Sequence, residues 1–389
     1  MSSNALHVCI LTTAHPVDDV RVRHKFAQTF QNAGFRVSWA GPGHAFFDPS
    51  ATSLEGIEFH FAPPIRTKRD RLLAGRRTHK AASKLEPVDV FYAPDPDAIP
   101  IALALAKQHH AKVIFDIHEQ FHGAMLDRWL PRRGFPLVRK LVLKRIQRLC
   151  AQCDLVLAVN QSLLEAYLQG SAQGLVVRSC APAWFADGPP AVVCPNDRPF
   201  TIMHGKCALA RGTLPVLEAL AKLPGGSTGM RVVMFCGSAP EKDRQAQAVV
   251  ESSRQLGVTS ALDLRSGVPM QDMPGILRSC DVGLIAYGRG LGAESLPNRL
   301  FEYMALGLPV IAPTYSIEIA KILREEACGL LADFEDPDSI AQALHTMYHN
   351  QEECRTMGQR AREAFLKRHN WDQEIAPVLA WMHSCRTSS

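Results

Sequence analysis

The chain has 389 residues, 47% hydrophobic and 21% charged, a balance typical of soluble globular proteins and unlike disordered or fibrous chains. This length exceeds what one ordinary core supports, so we expect two domains. A net charge of +5 is too small to indicate a nucleic-acid partner, and none is expected.

The start of the sequence and its cysteines suggest a protein of the reducing cytosol. Residues 6–11 form an apolar run of strand length with no basic segment before it, unlike a signal peptide. No run reaches the roughly 20 apolar residues that span a bilayer. Eleven cysteines without paired spacing argue against a disulfide framework, and we interpret Cys150 and Cys153 as buried thiols rather than a metal or redox pair.

The first element pattern is strand, helix and strand, at residues 6–11, 22–33 and 35–40. No GxGxxG follows the first strand, which argues against a dinucleotide cofactor there. The loop instead carries polar candidates for a substrate role, with ordinary loop polarity and helix capping as the alternative. These candidates are His15, Asp18, Asp19, Arg21 and Arg23.

Two further strand ends carry chemical side chains. Asp95 and Asp97 follow a strand in the pattern of a DxD metal motif, but the intervening proline and the helix after them favour capping. His118 and Glu119 follow a strand at residues 112–117, at the edge where open parallel sheets bind ligands. We therefore predict both as active-site residues, although a lone histidine is more often structural.

Two segments are strongly basic. Residues 66–80 carry seven basic side chains, and residues 128–148 carry eight with no acid. The second segment has an apolar helical stripe of Val138, Leu141, Val142, Ile146 and Leu149, flanked by Arg139, Lys140, Lys144 and Arg148. It is either a core helix with a solvated outer face or a surface helix on anionic lipid, assisted by Trp129, Leu130 and Phe135.

A proline-rich segment without periodicity, residues 182–199, indicates a domain boundary. We expect a first domain at residues 1–190 and a second at 195–365, with a last helix in 366–389 packing back on the first. The second half restarts with a strand and a turn that carries Lys206 and Arg211. Two cations across such a turn suit a diphosphate.

Residues 294–313 combine a loop, a helix and a buried strand. Glu294 lies before the helix and Glu302 one turn inside it, with seven residues between them. Unpaired amides at the helix start suit a phosphate, while carboxylates beside a phosphate suit neutral hydroxyls; a sugar nucleotide offers both. The alternative is a capped helix with solvated glutamates. The amides belong to Leu296, Pro297 (which lacks an N–H), Asn298, Arg299 and Leu300.

This stretch, ESLPNRLFEYMALGLPVIAP, resembles the donor-site signature of the retaining GT-B glycosyltransferases of family 4, in their bacterial polysaccharide-assembly branch. The resemblance covers almost the whole chain and is strongest over residues 200–345. It implies an α/β fold of two Rossmann-like domains facing a central cleft, the first for the acceptor and the second for the donor. It also implies sugar transfer with retained configuration and no metal or organic cofactor.

The resemblance assigns roles to individual residues. Glu294 contacts the transferred sugar, Glu302 the ribose and Val268 the base. Lys206, where arginine is frequent in the family, and Arg211 hold the pyrophosphate.

On the acceptor side, His118 lines the cleft against the donor sugar. The chain departs from the branch at Pro94, where histidine is usual. The expected partners are a UDP- or GDP-sugar, a glycan or lipid-linked acceptor and an anionic membrane surface, in the cytoplasm or at the inner face of the membrane. A non-catalytic sugar-nucleotide-binding subunit and a GT-B-like epimerase remain as alternatives, although Glu294 argues against the first.

Overall fold

The computed structural model describes residues 5–43, 53–118, 136–170, 172–192, 198–293 and 295–386. It divides into two compact units, one formed by Met1–Arg178 with Glu374–Ser389 and the other by Ser179–Gln373. Each unit is built on a largely parallel sheet with helices between its strands. Two Rossmann-like α/β units confirm the predicted fold class.

The first unit has an eight-stranded sheet in the order β3-β4-β2-β1-β5-β6-β7-β8, parallel except where β3 meets β4. Its strands are β1 (His7–Leu11), β2 (Arg36–Pro42), β3 (Ser53–Leu54), β4 (Ile57–Ala62), β5 (Val90–Ala93), β6 (Lys112–Ile117), β7 (Leu155–Ala158) and β8 (Gln173–Val176). Its helices are α1 (Gln28–Asn32), α2 (Lys68–Ala82), α3 (Ile99–His109), α4 (Pro136–Cys150) and α5 (Gln161–Tyr167). The apolar strands are buried on both faces, as expected for a parallel sheet covered by helices.

The second unit has a six-stranded parallel sheet in the order β11-β10-β9-β12-β13-β14. Its strands are β9 (Phe200–Lys206), β10 (Met230–Cys236), β11 (Leu262–Ser266), β12 (Val282–Leu284), β13 (Val310–Pro313) and β14 (Gly329–Ala332). Its helices are α6 (Thr213–Lys222), α7 (Arg244–Gln255), α8 (Met273–Leu277), α9 (Arg289–Gly292), α10 (Asn298–Leu306), α11 (Ile317–Glu326), α12 (Pro337–His349) and α13 (Gln351–Lys367). After β11 the chain crosses to the other side of β9, so the sheet has a topological switch point between β9 and β12.

The last helix, α14 (Trp371–Arg386), contributes its residues from Glu374 onward to the first unit. The Arg178 Nε donates to the Glu374 carboxylate at 2.8 Å. Near the other end of the helix, the His383 ring lies 5.2 Å from the Phe35 ring.

The helix after β1 begins earlier than its apolar periodicity predicts. A π-helical segment, Val20–Ala27, runs directly into α1, and the Asp19 carboxylate caps it by accepting from the Val22 N–H at 2.8 Å. Arg21, Arg23 and Lys25 are buried on this segment. Burial of charged side chains in a helix cannot be read from hydrophobic periodicity, because it depends on partners elsewhere in the chain.

The basic helix α4 divides its apolar residues between two sides. Ile146 is buried, whereas Leu137 and Leu141 are exposed to 68% and 57%. Arg139 is half-buried and lies seven residues before Ile146, so it belongs to the inner side rather than to the outer charged face that the sequence suggested. Trp129, Leu130 and Phe135 lie outside the described residues. Within the described part of the chain, no helix is both long and apolar enough to span a bilayer.

Candidate functional site

A cavity of about 360 Å³ lies in the second unit at the carboxyl ends of β9 and β10, beside the switch point of the sheet. Open parallel sheets bind ligands at such positions. Apolar and aromatic side chains form most of the wall, with two cations and one carboxylate among them. The lining residues are Met203, Gly205, Lys206, Phe235, Cys236, Gly237, Met273, Leu277, Arg299, Glu302 and Tyr303.

Helix α10 is held against the sheet by Tyr303. The Tyr303 ring is buried where a Cβ on Gly283 of β12 would come within 2.2 Å of it, so only glycine fits there. The Tyr303 hydroxyl lies 3.5 Å from the carbonyl oxygens of Met203 and Leu284. The helix ends at Gly307, which has a φ of +74°. The packing of Tyr303 fixes the residue before it, Glu302, at the cavity.

The N-terminus of α10 lacks a side-chain cap. Pro297 occupies the N-cap position, and the first turn contains no acidic residue. The Leu300 N–H donates to the Pro297 carbonyl at 3.1 Å, and the Leu300 side chain is fully buried. Leu300 therefore does not offer its amide to a ligand as the sequence predicted, and the amides of Asn298 and Arg299 are the better anion donors.

The guanidinium of Arg299 forms part of the cavity wall. It donates to the His204 carbonyl at 3.0 Å and lies over the Tyr287 ring, 4.8 Å from its centroid. Gly205 has a φ of +95°, and a Cβ there would lie 2.5 Å from Arg299 Nη1. Burial, together with Arg299, lowers the pKa of His204 to about 3, so the imidazole is neutral near pH 7. The sequence predicted a role only for the amide of Arg299, since residue spacing gives no signal for these side-chain contacts.

Lys206 and Arg211 flank the turn that leaves β9. Lys206 lines the cavity, while Arg211 ends a short turn, Leu209–Arg211, outside the cavity lining. Gly212 has a φ of +78°, and a Cβ there would lie 2.2 Å from the Ala286 carbonyl oxygen just after β12. Both cations are exposed, and neither has a carboxylate partner among the described residues. Their charges are therefore available to an anion.

The other residues predicted to bind the donor lie outside the cavity lining or outside the described residues. Leu296, Pro297 and Asn298 are half-buried at the start of α10. Val268 is half-buried in the loop after β11 and is not part of the cavity lining. Glu294 lies outside the described residues. The cavity thus brings together Lys206, Arg299 and Glu302.

A polar cluster in the first unit lies at the carboxyl ends of β1, β5 and β6. His15 Nδ1 is 3.3 Å from Asp19, and its Nε2 is 3.4 Å from Asp95. The His15 and His118 rings meet edge to face, with centroids 4.9 Å apart. Glu119 lies outside the described residues.

The pKa values of the two histidines of this cluster are shifted in opposite directions. Burial lowers the pKa of His118 below 6.5. Burial also opposes protonation of His15, but Asp19 and Asp95 outweigh it and raise the pKa of His15. The pair therefore favours a neutral His118 beside a more basic His15.

Beneath the histidines is a buried ion pair. Arg21 donates to both oxygens of Asp116, each at 2.7 Å, and the Tyr92 hydroxyl donates to Asp116 at 2.6 Å. Of these three residues, only Arg21 was among the candidates predicted from the sequence. An acid within the apolar run of β6, two residues before His118, was the available signal, because a buried carboxylate requires a partner.

The capping interpretation of Asp95 and Asp97 is wrong. Helix α3 has Ala98 at its N-cap position and no side-chain cap. Asp95 instead accepts from the Thr12 hydroxyl at 2.6 Å and the Thr13 N–H at 2.8 Å, and Asp97 pairs with Arg71 at 2.7 Å. Asp97 also accepts from the Thr13 hydroxyl at 2.6 Å, so both acids organise the loop after β1. The described residues contain no group of three His, Cys, Asp or Glu side chains arranged to hold a metal.

Two family descriptions match successive parts of the chain. Residues 20–176 match glycosyltransferase family 4, and residues 189–364 match glycosyl transferases group 1. The chain belongs to the GT-B glycosyltransferases of the family-4 type. No curated protein matches the sequence closely enough to count as a relative.

Solved structures with the same fold cover almost the whole chain. Sucrose-phosphate synthase from Thermosynechococcus elongatus has a TM-score of 0.77 at 14% identity, covering 99% of this glycosyltransferase and 100% of that chain. HepE from Anabaena, in complex with UDP, has a TM-score of 0.71 at 15% identity, with coverages of 97% and 100%. WaaG, a glycosyltransferase involved in lipopolysaccharide biosynthesis, has a TM-score of 0.65 at 14% identity, with coverages of 96% and 98%.

Proposed function

We propose that this glycosyltransferase transfers a sugar from a UDP- or GDP-sugar to a glycan or lipid-linked acceptor in cell-surface polysaccharide synthesis, retaining the anomeric configuration. The observation that carries the donor half is the cavity at the end of β9, which is lined by Lys206, Arg299 and Glu302. The structures of HepE with UDP and with UDP-glucose support a uridine nucleotide as the first choice. The role of WaaG in lipopolysaccharide biosynthesis supports the choice of pathway.

In this proposal each part of a sugar nucleotide has its own binding group. Glu302 accepts hydrogen bonds from the ribose hydroxyls, and Val268 contacts the base. Glu294 accepts hydrogen bonds from the transferred sugar. The pyrophosphate is bound by Lys206, Arg211 and the first amides of α10.

The bond to the leaving diphosphate breaks as negative charge grows on its oxygen. Lys206, Arg211 and the amides of Asn298 and Arg299 stabilise that charge, which lowers the barrier more than it strengthens substrate binding. The acceptor hydroxyl attacks from the face that the diphosphate leaves, and a phosphate oxygen takes its proton. These cations supply the positive charge without a metal ion. We also propose catalytic roles for His118 and Glu119, supported by the position of His118 at the carboxyl end of β6.

A thermal-shift screen of UDP-, GDP- and ADP-sugars tests the donor assignment. We expect one nucleotide class to raise the melting temperature in proportion to ln(1 + [L]/Kd). Incubating the stabilising donor alone tests the epimerase alternative, since an epimerised sugar would identify that activity. If none of these sugar nucleotides stabilises the protein, the donor assignment is wrong.

Replacing Glu302 with alanine should weaken donor binding by about 1.5–3 kcal/mol, because a hydroxyl would lose a charged acceptor. Calorimetry with the preferred nucleotide measures this loss. Glu352→Ala, which removes an exposed carboxylate on α13, is the matched control and should bind normally. Unchanged affinity in Glu302→Ala would remove this residue from the site.

The outer face of α4 suits an anionic membrane. Leu137, Leu141, Lys144 and Arg148 follow one another at helical spacing on this face, and Lys140 borders it. Each cation near an anionic bilayer contributes roughly 1 kcal/mol, an attraction that salt screens. A lipid-linked acceptor would be presented at such a surface.

Co-sedimentation with anionic vesicles should therefore occur at low salt and disappear at high salt. Changing Lys140, Lys144 and Arg148 to glutamate should abolish it. The same change at Lys84, Lys107 and Arg324, all exposed elsewhere, should have a smaller effect at equal net charge. Protein that stays in the supernatant at low salt would contradict membrane attachment.

A further inference from the structure

Two adjoining grooves in the first unit lie on either side of the start of α3. The larger, about 460 Å³, is lined by α2 and α3, and the smaller, about 270 Å³, by α3 and α4. Asp97 and Pro100 line both. The grooves are therefore neighbours, and together they join three helices.

Both grooves combine an apolar floor with cationic walls. The floor consists of Pro100, Ile101, Ala104, Val142, Ile146 and Leu149. Arg76 and His79 stand on the α2 wall and Arg145 on the α4 wall. Neither arginine has a carboxylate partner among the described residues. The shared acid, Asp97, is neutralised by Arg71 at 2.7 Å. The grooves thus favour a negative charge next to hydrocarbon.

Each arginine follows an exposed leucine by one helical turn. Leu72 precedes Arg76 and is 81% exposed, and Leu141 precedes Arg145 and is 57% exposed. Residues four apart lie on the same side of a helix, so each leucine extends the apolar surface beyond its groove. The same pairing on both outer helices argues for one ligand that is charged at one end and apolar along its length.

Gly75, inside α2, keeps the larger groove open. Its added Cβ would be 3.5 Å from Ile101 Cδ1, an ordinary contact, and its backbone is helical. Alanine would fit and would favour the helix. Neither a steric clash nor the backbone conformation therefore requires glycine here, and its lack of a side chain leaves the space over Ile101 open.

We propose that these grooves bind a lipid-linked acceptor by the phosphate or diphosphate attached to its hydrocarbon chain. Arg76, His79 and Arg145 hold the phosphate oxygens, and the hydrocarbon chain lies on the apolar floor and the two exposed leucines. This proposal deepens the proposed function and rests on it in identifying the ligand as the acceptor. Binding itself does not depend on turnover.

Calorimetry of the full chain with decyl phosphate, below its micelle concentration, tests the proposal. We expect decyl phosphate to bind at least tenfold more tightly than inorganic phosphate or decanol. Replacing Arg76 and Arg145 with alanine should weaken binding by roughly tenfold for each charged hydrogen-bonding partner lost. Gly75→Leu should weaken binding by filling the groove without changing charge, and Gly75→Ala should do so less. Lys107→Ala removes an exposed cation at the far end of α3 and should bind normally.

Every variant is also tested for a thermal shift with the preferred sugar nucleotide, which reports a folded donor unit. Donor binding without decyl phosphate binding would overturn the groove assignment and leave the donor assignment standing. Decyl phosphate binding without donor binding would overturn the donor assignment and leave the groove assignment standing. Equal binding of decanol, of inorganic phosphate or of dihexanoylphosphatidylglycerol would also overturn the groove assignment, since the grooves would then not select a phosphate attached directly to a hydrocarbon chain.

Discussion

Replacing both Lys206 and Arg211 with alanine should lower turnover by more than about a hundredfold while the protein stays folded, by analogy with the loss of other transition-state donors. Both side chains are exposed and have no carboxylate partner among the described residues, so their removal leaves no buried charge unpaired. The effect should fall on kcat as well as on kcat/KM, because charge on the diphosphate grows as its bond breaks. Steady-state kinetics with the preferred donor measure both.

Two controls make this result specific. Replacing Arg231 and Arg324 with alanine removes the same charge from exposed positions away from the cavity and should leave turnover unchanged. Lys206→Arg keeps the charge and should retain activity. If the folded Lys206 and Arg211 double variant keeps near-normal turnover, the diphosphate is bound elsewhere.

The elements around the candidate donor site were predictable where the signal is local. A helix start and a glycine stop predicted a helix through Glu302, and α10 lies there with Glu302 lining the cavity, because these features depend on neighbours in the sequence. The roles of Arg299 and Gly205 were not predictable, since their contact joins residues far apart in the chain. The sequence around Gly205 does not indicate that a side chain there would clash with the Arg299 guanidinium.

In the first unit, too, local patterns predicted the elements, whereas the contacts between distant residues were not predicted. The strands predicted at residues 6–11, 35–40 and 112–117 lie within two residues of β1, β2 and β6, since burial on both faces leaves a clear pattern. The strands β3, β4 and β8 were not predicted. Its polar network was read wrongly at Asp95, because helix capping is a local rule and this carboxylate binds residues 12–14 instead. Buried networks depend on which strand ends adjoin, and the sheet order here is not the order of the sequence.

Asp116→Ala should destabilise the protein by about 3–5 kcal/mol, because it leaves the Arg21 guanidinium buried without its partner. Both side chains are buried, and the Tyr92 hydroxyl would also lose its acceptor. Urea denaturation at pH 7 measures the loss. A triple variant, Asp116→Ala with Arg21→Met and Tyr92→Phe, should recover much of it, since apolar groups replace a buried ion pair at little cost.

The same pair predicts how stability depends on pH. Burial alone would raise the pKa of Asp116, but Arg21 and the hydrogen bonds outweigh it and lower the pKa below 3.8. The native state therefore binds the proton less readily than the unfolded chain, and the stabilisation is fully present above pH 3.8. It decreases as the pH falls through the lowered pKa of the folded state. The wild type should therefore lose more stability than the triple variant on acidification over this range.

The triple variant also shows whether the Asp116–Arg21 pair positions His118, the residue that follows β6, or only stabilises the unit. If the ion pair only stabilises the unit, the triple variant should bind and turn over donor normally once folded. If it also fixes the strand end, the triple variant should recover stability but keep a lowered kcat. An Asp116→Ala protein as stable as wild type at pH 7 would contradict the buried pair itself, since a desolvated guanidinium could not lose this carboxylate at so little cost.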